Sequence, residues 1–190
     1  MRKADEILKT KAVILYILGS FPDGINFIKL FKMMYLAQQE HLVQYGLPIF
    51  KDTFHAYRDT PAPSLSHKCF KIIIYEKSNI KEYLKPFVDA FHIDREKKLV
   101  FKKEDVDMDY LAIANVKILD CVIEKYGKYT PDELSKIFND TAWKKAVKRA
   151  NRNPEDYRIY LIDIAKAGGA EKSTIEYICE NLRIEKALKE

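Results

Sequence analysis

The chain is poor in cysteine, glycine and proline, and no hydrophobic run in it is long. Its three cysteines, Cys69, Cys121 and Cys179, are odd in number and follow no pairing or metal-binding spacing. That excludes a disulfide framework, and the apolar neighbours of each make them buried, reduced thiols of a cytoplasmic protein. Six glycines and seven prolines in 190 residues exclude long flexible linkers and a turn-rich all-β fold. The longest apolar run near the N-terminus, Ala12 to Leu18, is far shorter than the roughly 20 residues a spanning helix needs. The charged, amphipathic start carries no secretory cleavage pattern. A soluble cytoplasmic chain with no membrane partner is expected. There is also no Gly-rich phosphate loop, no His-Glu-x-x-His, no cysteine pair and no nucleophile elbow. The sequence therefore points to no enzyme and to no cofactor.

Metal ligation is equally thin. His41, His55, His67 and His92 are dispersed, and no two share ligand spacing with a nearby carboxylate. Asp105, Asp107 and Asp109 lack the glycine and terminal glutamate of a calcium loop. They are better explained as caps and dipole partners at a helix start.

A hydrophobic fraction of 47% suits a single domain with a real core. The net charge of +5 permits an acidic partner or nucleic acid and demands neither. Helical periodicity places a first helix over 5–20, with Ile7, Leu8, Val13, Ile14 and Ile17 inward. Asn26 caps a second helix that runs to about residue 44. Gly46 then supplies a left-handed cap, and Pro48 follows where the helix cannot continue. Pro48-Ile49-Phe50 and Phe54-His55-Ala56-Tyr57 flank Lys51-Asp52 as strand, turn and strand. Residues 64–75 read as helix or, over Ile72 to Tyr75, as strand. Asn79 to Ala90 has helical spacing interrupted by Pro86. Phe91-His92-Ile93 and Leu99-Val100-Phe101 form a hairpin or a charged loop. Asp107 caps a helix to Tyr126, closed by Gly127. Thr130-Pro131-Asp132-Glu133 is a capping box with proline at the first helical position. Asn153-Pro154-Glu155 opens a helix to Gly168-Gly169, and Ser173-Thr174 opens the last. The expected fold is mainly α: a single compact helical domain with one or two short β ribbons or hairpins, its core built by the helices at 5–20, 26–44 and 107–126.

Three groups of residues are functional candidates. Tyr35, Gln38 and His41 share one helix and make either a polar groove or an ordinary helix surface. Lys144, Lys145, Lys148, Arg149 and Arg152 form a basic helical stripe, with Lys144, Lys148 and Arg152 on one face. The stripe admits phosphates of nucleic acid, an acidic protein surface, or simply solvent. Trp143, the single tryptophan, is placed in the core, with Ile137 and Phe138 on the turns before it.

The order of helix, glycine stop and ribbon resembles the SocA-like, Panacea antitoxin domain of bacteria and phages. Lys29, Leu30, Lys32, Tyr35, Ala37 and Gln38 fill the family's K-L-x-K…Y-x-A-Q pattern, and His41 and Leu42 continue it. Gly46-Leu47-Pro48-Ile49 looks like its G-x-P step, and Phe54, Ala56 and Tyr57 match its aromatic ribbon. Thr60-Pro61-Ala62 stands where Gly-Pro-Val is usual, so only Pro61 is retained. Ile118 to Lys128 resembles the second helix-glycine element, and Thr130, Leu134 and Trp143 its ending. Phe138 and Asn139 stand where the family often has a histidine. The resemblance implies a Panacea domain over 1–150 and a helical extension over 151–190 packed on it. It also implies an antitoxin that binds a cognate protein toxin, or an adaptor that hands the toxin to a protease complex. Partner contacts would come from Tyr35, Gln38, His41, Phe54, Tyr57 and Pro61, in the ribbon and the segment Arg58 to Ser64. The alternative is a helix-turn-helix regulator of DNA built on the first two helices. Its second helix, with Phe31, Met33, Met34 and Leu36 on several sides, is too apolar to read a groove.

Overall fold

The computed structural model describes residues 3–57, 60–137 and 140–188. Helix α1 spans Lys3–Gly19 and α2 spans Phe27–Tyr45, joined by the two-residue strand β1, Ile25–Asn26. The Asn26 side chain accepts the Ile28 N–H at 2.9 Å, and Gly46 closes α2 at φ 64° with its N–H on the Leu42 carbonyl. Both ends are therefore set by local chemistry the sequence displays. The centre of α2 is not amphipathic in place. Every residue from Leu30 to Gln38 is buried, because α1, strand β3 (Thr60–Pro63), α5 (Ile113–Tyr126) and α8 (Leu161–Ala167) pack around it.

The ribbon lies one step further along than the sequence suggested. Strand β2, Phe54–Tyr57, pairs with β3, Thr60–Pro63, and not with residues 48–50. Residues 48–53 form a loop because their polar groups are taken elsewhere. Gln38 Oε1 accepts the Ile49 N–H at 3.1 Å. The Asp52 carboxylate accepts N–H bonds from Thr53, Leu65 and Ser66, at 2.8, 2.9 and 3.1 Å. Asp52 thereby caps α3, Ser64–Ile74, which settles residues 64–74 as helix.

Over 79–90 the interruption expected from Pro86 is met by a 3-10 turn at Glu82–Leu84 and one short helical turn, α4 (Lys85–Val88), with Pro86 in its first turn. Strands β4 (Phe91–Asp94) and β5 (Leu99–Lys102) do form the hairpin, and β1 joins β5 in a three-stranded antiparallel sheet. Asp107 caps only a 3-10 turn, Met108–Tyr110. α5 begins later, where Asn115 Oδ1 accepts the Ala112 N–H. The capping box at Thr130 forms in both directions, at 2.7 and 3.2 Å, and starts α6, Pro131–Ile137. Helix α7 is Thr141–Ala150.

Asn153 opens a turn and no helix, its side chain accepting the Glu155 N–H. The chain then becomes strand β6, Arg158–Ile159, which pairs with β2. The second sheet thus has the order β3-β2-β6. α8 and α9 (Lys172–Ala187) complete a mainly α fold, with Ile159, Ile164, Ala165 and Ile178 buried in the common core. Only Cys69 of the three cysteines is buried; Cys121 is exposed and Cys179 half-buried. Burial pushes the Cys69 thiol up to about 12, so it stays protonated and unreactive.

Candidate functional site

The polar residues of α2 face inward and hold the later elements one after another. Lys29 donates to the Gly127 carbonyl at 2.6 Å. Lys32, 1% exposed, donates to the Pro131 carbonyl at 2.8 Å and to the Ser135 hydroxyl. Tyr35 donates to Asp140 Oδ2 at 2.7 Å, and Gln39 reaches the same oxygen at 3.2 Å and the Ile164 carbonyl at 3.4 Å. Asp140 also caps α7 by accepting the Trp143 N–H at 2.8 Å. Steps of three and four residues put these side chains on neighbouring turns, so α2 ties down α6, α7 and α8 in sequence order. Burial, then the Asp140 charge, raises the Tyr35 hydroxyl well above its usual range.

His41 holds the other flank. Its Nδ1 donates to the Leu47 carbonyl at 2.7 Å, and its Nε2 accepts from Asn115 Nδ2 at 2.9 Å. A carbonyl can only accept and an amide nitrogen can only donate, so the ring is protonated on Nδ1, bare on Nε2 and neutral. Burial lowers its pKa. Tyr35, Gln38 and His41 are therefore buried, as are Phe54 and Pro61. The Phe54 ring meets Tyr35 edge-on at 5.3 Å. Among the six residues singled out on the helix and ribbon, Tyr57 alone is partly exposed, its ring lying 4.9 Å from His67 and 5.3 Å from Tyr157. Burial and Tyr157 push its hydroxyl up to about 12. Arg58 and Asp59, between β2 and β3, lie outside the described residues, as do Phe138 and Asn139.

Tyr57 opens onto a cleft of about 890 Å³. Phe27 and Ile28 at the start of α2, His67 and Lys71 on α3, and Trp143 on α7 form its walls, and Lys32 also lines it. The Trp143 ring N–H is buried and has no acceptor among the described residues. Trp143 is half-buried against the core, so it is both core and cleft wall. Ile137 and Phe138, expected beside it, contribute nothing that is described.

The basic stripe divides. Lys145 pairs with Asp163 at 2.9 Å. Arg149 lies 3.7 Å from Asp163 and 3.5 Å from Asp156, and it donates to the Arg158 carbonyl. Its guanidinium also stands 4.7 Å over the Tyr160 ring. Lys144, Lys148 and Arg152 stay exposed on the other face. Thus two of the five cations fasten α7 to the segment after it.

Sequence reasoning missed Asp52, Asn115, Asp140 and Tyr157. Asp140 precedes a helix, which marks it as a cap. Asn115 and Asp52 each make one local bond, to the Ala112 and Thr53 N–H groups, but the partners that give them their roles, and those of Tyr157, are distant in the chain. Among the described residues no group of three or more His, Cys, Asp or Glu side chains could hold a metal ion, and no helix is long and apolar enough to cross a membrane.

A family model described as antitoxin SocA-like, Panacea domain, matches residues 30–144. The matched span runs from the buried centre of α2 through the ribbon to one residue past Trp143. No curated protein and no solved structure matches the chain.

Proposed function

The chain belongs to the SocA-like, Panacea antitoxin family, and from that membership we propose that it binds a cognate protein toxin directly and blocks it. The same surface, handing the toxin to a protease complex, is a variant of this reading. The observation that supports the ribbon end as the contact is the position of Tyr57, at the mouth of the cleft and partly exposed beside buried neighbours. Behind it, Phe54 of the same strand is buried against the Tyr35 ring. Edge pairing is less suited to capture here. Strand β2 already has partners on both sides, and β3 carries Pro61 and Pro63, which have no N–H to donate. Groove packing is the mode that fits.

The regulator alternative asks α2 to enter a DNA groove. A helix buried through its central turns cannot do so without opening the core. The exposed cations Lys144, Lys148 and Arg152 remain a surface for phosphate or for an acidic toxin.

Co-expression with the neighbouring open reading frame tests the reading. A toxic neighbour should be tolerated, and co-elute, when this chain is present. The double variant Tyr57→Ala, Pro61→Ala should fold, by circular dichroism, and lose rescue. A folded double variant that rescues fully removes the ribbon as the site.

A further inference from the structure

The cleft beside Tyr57 has a chemical character that narrows what it takes. Its walls are aromatic and apolar, from Phe27, Ile28, Tyr57 and Trp143. Its charges are unequal, with Lys32 and Lys71 against Asp132. Lys71 is exposed and forms no ion pair among the described residues. Trp143 stands in the same wall, its ring N–H buried. The exposed Lys71 calls for a negatively charged oxygen acceptor.

We propose that this cleft binds an extended acidic segment of the partner protein, an acidic side chain pairing with Lys71 and an aromatic side chain lying against Tyr57 and Phe27. Charge complementarity sets the choice of an acidic over a basic segment. Aromatic walls provide large contact area at small conformational cost. This assignment rests on the reading of the chain as a toxin-binding protein, and it names the part of the toxin that is held.

The probe is the peptide acetyl-Glu-Phe-Glu-Phe-Glu-amide, with Gln and Lys versions as controls, titrated into the full chain. Trp143 is the single tryptophan, so its emission reports occupancy of this cleft directly. The Glu peptide should shift the emission saturably, and the Lys peptide should not. Lys71→Gln should weaken binding about tenfold, the size of one good charge-assisted bond, and Lys71→Glu should favour the Lys peptide. Equal response to the Glu and Gln peptides, no saturation at millimolar peptide, or indifference to Lys71→Gln overturns the assignment. The peptide assay contains no toxin, so it fails separately from co-expression. A chain that binds the peptide but rescues no toxic neighbour keeps the cleft and loses the antitoxin reading. A chain that rescues but ignores the peptide does the reverse.

Discussion

His41, His55 and His67 are each held neutral by burial, which lowers the pKa of all three from 6.5. The sign of the pH dependence follows. The unfolded chain takes up protons near pH 6.5, where the folded chain does not, so stability rises with pH in that window. Above about 6.5 their contribution is complete. It declines as pH falls below that value and stops declining once the lowered folded pKa values are passed. Burial raises Asp52 instead, so its carboxyl works in the opposite direction, beginning as pH falls through its raised folded value and complete below the ordinary carboxylate range. Urea midpoints measured from about pH 7.5 to 5.5 should fall steadily; a flat profile would reject neutral burial of the three rings. The burial of His41 was not legible in the sequence. Its Asn115 partner is distant in the chain, and the local bonds of the two residues, to Leu47 and Ala112, do not point to each other.

Helix ends were the most readable elements, because a cap is local chemistry. Asn26, Gly46 and Thr130 each do what their identity and position suggest. Asp107 and Asn153 carry the same kind of signal but cap only a short turn. A cap motif marks a bend and does not guarantee the helix after it; the strand demanded by Phe54 takes over near Ile159. Gly46 is the one of these ends that also bears on another element. A β-carbon there would stand 2.6 Å from the Tyr177 ring of α9. Gly46→Ala should therefore cost more than the roughly 1–2 kcal/mol of a left-handed alanine. Gly169 is the natural control, with φ 86° and nothing within 4 Å. Thermal melts of Gly46→Ala and Gly169→Ala should differ clearly in midpoint; equal losses would mean that α9 gives way freely.

At the scale of the molecule, the mainly α class with short β ribbons and the place of residues 26–44 in the core were legible from periodicity. The partition of the site was not. Burial all round α2 depends on what later segments bring to it, and the ribbon register depends on Asp52 and β6. Residues 151–190 show the same dependence. Each buried isoleucine there contributes about 1.5–3 kcal/mol, and Ile159, Ile164 and Ile178 are all buried. Against a typical total stability of about 5–15 kcal/mol, a fragment ending at residue 150 should lack a cooperative melt and the near-ultraviolet dichroism of a fixed Trp143. A fragment with native-like melting would make the last forty or so residues an appendage.

Strand β2 lies between a neighbour made at once and a neighbour made last. Tyr57 pairs with the nearby Thr60, whereas Phe54 pairs with the distant Ile159. At ribosomal rates of about 5–20 residues per second, the second partner arrives on the order of ten seconds after the first. Until then one edge of the ribbon is open. Translation that stops short of Ile159 releases a chain with a bare strand edge and no finished sheet, so quality of synthesis, as well as amount, governs how much working protein a cell holds.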